Sequence, residues 1–302
     1  MAISRAQLAK ELEPGLNALF GLEYGRYENE HSEIFEEESS DRAFEEEVML
    51  GGFATAPVKS EGGAISFDDA QETYTARYTH ETIALAFSIT EEAIEDNLYD
   101  RLASRYTKAL ARSMATTKQI KAASILNNAF STGANAIGDG AALCSSAHPS
   151  LSGNQRNLLS TAADLNETSL EQMLIDIAGF TDERGLKIAV RGTKLIIPKE
   201  LQFIAERVMN SNLRSGTADN DNNAMKNMGM LPEGAVVNHF LTDTDAFFIK
   251  TDASNGFKYF NRAAIKTAME GDFDTGNMRF KARERYSFGV SDWRCVFGTP
   301  GA

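Results

Sequence analysis

From Glu91 to Phe130 the chain contains neither glycine nor proline, and Ile94, Leu98, Leu102, Tyr106, Leu110 and Met114 recur at every fourth position. That spacing sets them on one face of an α-helix, and Ile120 and Ile125 carry the face onward after a phase shift. Thr90 stands as N-cap, with Glu91 and Glu92 in the first turn where the helix dipole favours anions. Unbroken, such a helix is ~60 Å long, roughly twice the width of a small domain. Enzyme cores seldom need that length, whereas a structural spine does. Arg101, Arg105, Lys108 and Arg112 form a basic stripe down one side. A solvated face is the plain reading of the stripe, and a strip for docking an acidic segment is the sharper one.

An acidic segment is present. Between Glu28 and Glu47, ten acids and one arginine carry −9 of the chain's net −13. So dense a like-charge run cannot fold as an isolated core. It reads either as a solvated connector or as an arm that orders against another surface, including another copy of the chain. Ahead of it, residues 3–12 suit a short helix ended by Pro14-Gly15, followed by an apolar piece, Leu16 to Leu22. Behind it, Val48 to Thr79 is punctuated by Gly51-Gly52 and Gly62-Gly63, which predicts a long two-stranded hairpin turning at Lys59–Gly63. A hairpin is marginal in water by itself, so one of about 30 residues must lie on something.

Glu81 to Ile89 alternates as a half-buried strand does. Beyond the long helix, residues 131–166 read as loop. Thr168 and Glu171 suggest a capping box for the next helix, which Gly185 closes. Leu186–Val190 and Lys194–Ile197 read as strands around Arg191-Gly192, and Pro198 opens a helix reaching Met209. Ser211–Asn227 reads as a polar loop. Short strands follow at Ala235–Phe240, Ala246–Lys250 and Phe257–Phe260, the last two joined through Ser254-Asn255-Gly256 as a hairpin. In the final long strand, Asn277–Val290, Met278, Phe280, Ala282, Tyr286 and Phe288 lie on one face, with Arg279, Lys281, Arg283 and Arg285 on the other. The fold class is α+β.

The 302 residues, 42% of them hydrophobic, suffice for a core without staples. No apolar run is long enough to span a bilayer, the N-terminus lacks a secretory h-region, and two cysteines suit a chain made in a reducing cytoplasm. The acidic balance argues against nucleic-acid binding through the whole surface. Chemistry is sparse: the four histidines fall in no HExxH, and there is no CxxC, GxGxxG, GxxxxGK[ST] or GxSxG. Asp219, Asp221 and Asn223 imitate a calcium loop, but Ala224 and Met230 stand where Gly and Glu are required. Cys144 and His148 are the one pair worth testing as a nucleophile and base, which would make the chain a small hydrolase.

The order of these pieces resembles tailed-bacteriophage major capsid proteins of the HK97-type fold. Local strings are similar to the Mu-type major head subunit family: Leu12-Glu13-Pro14-Gly15-Leu16-Asn17-Ala18-Leu19-Phe20, Asp139-Gly140-Ala141-Ala142-Leu143 through Ala147-His148-Pro149, Leu195-Ile196-Ile197-Pro198, Asp243-Thr244-Asp245-Ala246-Phe247-Phe248, and Arg285-Tyr286-Ser287-Phe288-Gly289-Val290 through Gly298-Thr299-Pro300-Gly301. The resemblance implies an N-terminal arm (1–47), an E-loop hairpin over an adjacent subunit (48–80), a P-domain strand and spine helix (81–134), an A-domain at the capsomer centre (mainly 135–270) and C-terminal P-domain strands (271–302).

The implied function is that of a major capsid protein, a non-enzymatic structural subunit of the virion. It would be assembled in the host cytoplasm through hexamers and pentamers into an icosahedral shell around double-stranded DNA held non-specifically. Portal protein, cement proteins and, since the arm begins almost at Met1, a separate scaffolding protein would be its partners. No cofactor, metal or membrane is implied. An encapsulin-like compartment shell is the alternative on the same fold. The candidate assembly residues are Glu36, Glu37 and Glu38 of the arm, facing either Arg279, Lys281, Arg283 and Arg285 or the Arg101/Arg105 stripe of another subunit. Lys59 is the hairpin lysine through which some relatives cross-link, and no residue of this sequence identifies a partner for it.

Overall fold

The computed structural model describes residues 5–90, 92, 99–133, 137–213, 222–272 and 275–302, with only the helical backbone described for 5–12 and 99–102. Two four-stranded sheets and one hairpin are strung on a long helix. That helix, α2 (Tyr99–Asn127), follows α1 (Arg5–Tyr24) in the chain and is the described part of the expected 91–130 helix; residues 91 and 93–98 lie outside the described residues. Its first half buries Ala103, Leu110, Ala111 and Met114 against Leu16 and Phe20 of α1 and Phe280 and Ala282 of the first sheet. Its second half buries Ala122, Ile125 and Leu126 in the core of the second sheet, and Ala129, in the turn just beyond it, joins them. One helix therefore spans both cores.

The first sheet runs β1 (Glu36–Ser39), β8 (Phe257–Gly271), β9 (Met278–Val290), β4 (Glu81–Ile89). The second runs β10 (Val296–Thr299), β7 (Phe247–Thr251), β5 (Gly192–Ile197), β6 (Ala235–Val237). Leu195, Ile196, Phe247, Ile249 and Phe297 of this sheet are fully buried, with Leu170, Met173 and Ile177 of α3 (Glu167–Ala178) in the same core. Each such side chain contributes roughly 1.5–3 kcal/mol. Helix α4 (Gln202–Asn210) follows Pro198 through one 3-10 turn.

Several expectations are corrected. Helix α1 runs straight through Pro14, because Leu16 and Phe20 bury against α2 on the far side of the proline. The capping box lies two residues earlier than Thr168: Asn166 accepts from the Ser169 amide while the Ser169 hydroxyl accepts from the Asn166 amide. Leu186–Val190 is not a sheet strand; Asp182 gathers the amides of Arg184 and Leu186 into a tight turn that leaves a single bridge, Thr181 to Lys187. Gly192 is required there because a Cβ would come within 2.8 Å of Leu174 and Ile249. Ser254–Gly256 makes no hairpin: β7 and β8 belong to different sheets, and Asn255, with φ 57°, turns the chain from one to the other. Within Ser211–Asn227, Asn223 caps a short helix, α5 (Ala224–Met228), while 214–221 lie outside the described residues. Residues 257–271 lie in the first sheet with β9, and the last strand, β10, joins the second.

The hairpin pairs β2 (Phe44–Gly51) with β3 (Gln71–Thr79), so it starts before Val48, and its pairing stops at Gly51. Its root is held on its own chain. The Tyr74 hydroxyl donates to the Ser291 carbonyl, Tyr78 bonds the Ser291 hydroxyl, and that hydroxyl in turn bonds Glu47. Gly289 lies under the Tyr78 ring, where a Cβ would approach to 2.6 Å.

Two buried polar groups fix the geometry around β9. Glu284 falls on the otherwise apolar face and pairs with Lys118 of α2 at 2.7 Å, while Tyr24 of α1 donates to it. Breaking a buried pair costs about 3–5 kcal/mol, so Glu284→Gln should lower the unfolding free energy of the unassembled subunit by that order. Lys118→Met added to it should recover part of the loss, measured by denaturant unfolding. His80, between β3 and β4, sits 2.9 Å from both Ser40 Oγ and Ser287 Oγ. Burial lowers its pKa from 6.5, Arg285 and Arg262 lower it further, and Glu45 opposes them. The neutral ring therefore contributes stability that is complete above about pH 6.5 and lost as the pH falls towards the depressed folded value. The wild-type subunit should lose more thermal stability between pH 7 and 5 than His80→Asn; equal losses would remove His80 as the cause.

Candidate assembly surfaces

The acidic run finds cations in its own chain, which is how so repulsive a stretch orders. Glu33 pairs with Lys194 at 2.8 Å and Glu46 with Arg77, while Glu30 accepts a hydrogen bond from the His239 amide at 2.9 Å. Glu38 and Glu47 both meet Lys258, at 3.0 Å for Glu38. Burial pulls the Lys258 ammonium down, but hydrogen bonds and charge from Glu47 and Glu38 outweigh it and hold the pKa above its ordinary value. Within the subunit the run is thus not a solvated connector. It supplies β1, parallel to β8. Of the three expected assembly acids, Glu38 is committed to Lys258, Glu37 accepts from Asn261, and all three remain exposed.

The basic ladder is divided. Arg279, Lys281 and Arg283 are exposed, while Arg285 is half-buried beside His80. Arg279 pairs with Asp272; Lys281 and Arg283 make no ion pair among the described residues. On the spine stripe, Arg105, Lys108 and Arg112 are exposed, and the Arg101 side chain lies outside the described residues.

Residues 52–70 form a lobe beyond the last hairpin pair, and Lys59 is exposed within it. It carries large apolar side chains open to solvent: Phe53, Val58, Ile65 and Phe67, the last 95% exposed. At its foot, Arg184 clamps the Asp68 carboxylate at 3.3 Å and the Asp69 carbonyl. The hairpin therefore lies half on its own chain, by its root, and half on nothing. Sequence reasoning placed the hairpin but missed this division, because the anchors Ser291, Gly289 and Arg184 are more than a hundred residues away.

Cys144 and His148 do not make a catalytic pair. Both are buried; burial pushes the Cys144 thiol well above its ordinary value, the opposite of what a nucleophile needs. His148 uses both ring nitrogens on Asp139 (2.7 Å) and Asn157 (3.0 Å) and stacks on Trp293 at 4.5 Å. Among the described residues no cluster of His, Cys, Asp or Glu could hold a metal, and no helix is long and apolar enough to cross a membrane.

Comparison with known structures accounts for this layout. The virus-like particle of Pyrococcus furiosus is similar with a TM-score of 0.54 at 10% identity, over 94% of this chain and 97% of that one. The capsid of Myoviridae phage XM1 gives 0.53 at 11% identity over 89% of both chains. The capsid of a native GTA particle gives 0.55 at 12% over 91% of both. At such identities the likeness is one of fold, the HK97-type capsid fold. By sequence, no curated protein matches significantly. A model of the phage capsid protein family, however, matches residues 73–298, from the returning strand of the hairpin to the last strand of the second sheet. On that match the chain belongs to the phage capsid protein family.

Proposed function

We propose that the chain is the major capsid subunit of a tailed double-stranded DNA phage and closes through hexamers and pentamers into an icosahedral head. The observation that carries this reading is the lobe at 52–70, held out on an anchored root with its apolar side chains uncovered. A surface of that kind is stable only when another molecule covers it, and in a closed shell the other molecule is a second copy. Within the family, the strings around Pro14, His148 and Pro198 support a Mu-type head subunit. Residues 1–47 then serve as the arm, the hairpin as the E-loop, the first sheet with α2 as the P-domain, and the second sheet as the core of the A-domain. The role is structural rather than catalytic and its place is the virion, with portal, scaffolding and cement proteins and the packaged genome as partners.

Each copy presents both signs of charge: exposed Glu36 and Glu37 on β1, and exposed Arg105, Arg279, Lys281 and Arg283. An exposed pair is worth only about 0.2–1 kcal/mol, but a shell repeats it at every subunit. Sedimentation and negative-stain imaging of the expressed chain should show shells, or hexameric and pentameric rings. DNA inside them fits the head, whereas a co-purifying enzyme would point to a cellular compartment. Glu36→Gln with Glu37→Gln should weaken assembly and flatten its salt dependence; an unchanged salt profile would remove the arm's charge from the interface.

A further inference from the structure

The outer edge of β4 pairs with no described strand. It is nine residues long, carries neither lysine nor proline, and pairs with β9 without a bulge. An edge like this offers a row of open N–H and C=O groups, which proteins blunt unless association uses them. The two faces along the edge differ. On the helix side, Leu85 and Tyr106 are 47% and 49% exposed, beside the Phe87 ring. On the other side, Thr82, Ala84, Ala86 and Ser88 are exposed and stand opposite Arg285, Arg283, Lys281 and Arg279 of β9, with Lys266 of β8 next to Arg283. That face is low and basic.

The free lobe has the matching pattern. In the run Ala64-Ile65-Ser66-Phe67-Asp68, Ile65 and Phe67 share one parity while Ala64, Ser66 and Asp68 share the other. In extended backbone those two sets point to opposite faces. Residues 61–69 hold Glu61, Asp68 and Asp69 and no base, against a ladder dominated by cations. We propose that residues 64–68 of one copy add as a strand to the β4 edge of a second copy. Phe67 lies opposite Leu85, with Ile65 two positions along on the same helix-side face; Ser66 and Asp68 flank Phe67 on Ala84 and Ala86, which brings the Asp68 carboxylate beside Lys281 and Arg283. The lobe cannot serve its own β4. Asp68 is clamped to Arg184, and β4 starts at the opposite end of β3, roughly 30 Å away at 3.3 Å per residue. This inference rests on the shell reading and names the contact that closes it.

Two measurements on assembled particles of the full chain test it. Hydrogen exchange at the amides of 82–88 should slow at least tenfold between unassembled subunit and particle; unchanged exchange would overturn strand addition. Leu85→Cys combined with Phe67→Cys should give oxidised covalent multimers on a non-reducing gel, since native Cys144 and Cys295 are buried. Leu85→Cys with Ser66→Cys, of opposite parity, should give none. Cross-linking by both pairs, or by neither, would contradict the proposed strand while particles in hand still uphold the shell. Failure of the wild-type chain to form particles under any condition would instead sink the shell reading itself.

Discussion

Strand β9 is the constraint on which the rest depends. It pairs with β8 and β4 at once, and its alternation decides what each side of the first sheet becomes. The inward residues Phe280 and Ala282 hold α1 and α2, Tyr286 lies under the Lys118 ammonium, and Glu284 is pinned by Lys118. The outward Arg279, Lys281 and Arg283 leave a cationic face uncovered. Its far end, through Ser287, Gly289 and the adjoining Ser291, receives His80, Tyr78 and Tyr74 and so aims the hairpin. A one-residue slip would bury the cations and release the hairpin together.

The energetics divide along the same line. The centre of the second sheet is closely packed, with Phe297 and Ile196, and Trp293 beside them, excluded from solvent. The lobe at 52–70 and the edge of β4 are the reverse: they make few contacts with their own chain and gain most when another chain arrives. A subunit built in this way places much of its stabilisation in repeated interfaces rather than in the monomer core.

Much of this was legible from periodicity. The long helix, the alternation of β9 and the strand at 81–89 follow from spacing alone, because each signal is local and repeated many times. What stayed hidden depended on partners distant in sequence. Pro14 predicts a helix end, yet Leu16 and Phe20 find α2 and the helix continues. Ser254–Gly256 has the composition of a hairpin turn but serves a change of sheet, since the identity of the neighbouring strand is not written in the turn. Glu284 interrupts an apolar face with nothing nearby in sequence to explain it; Lys118, 166 positions away, does. The acidic run asks for cations, but those it meets, Lys194 and Lys258, lie too far along the chain for charge patterning to pair them.

The most direct measurement of the central claim is a cryo-electron microscopy map of the assembled particle at side-chain resolution. It should show residues 52–70 ordered on a neighbouring subunit, with Ile65 and Phe67 covered and the β9 cation face at the contact. A map in which the lobe folds back on its own subunit, leaving the edge of β4 and the ladder open to solvent, would contradict the account.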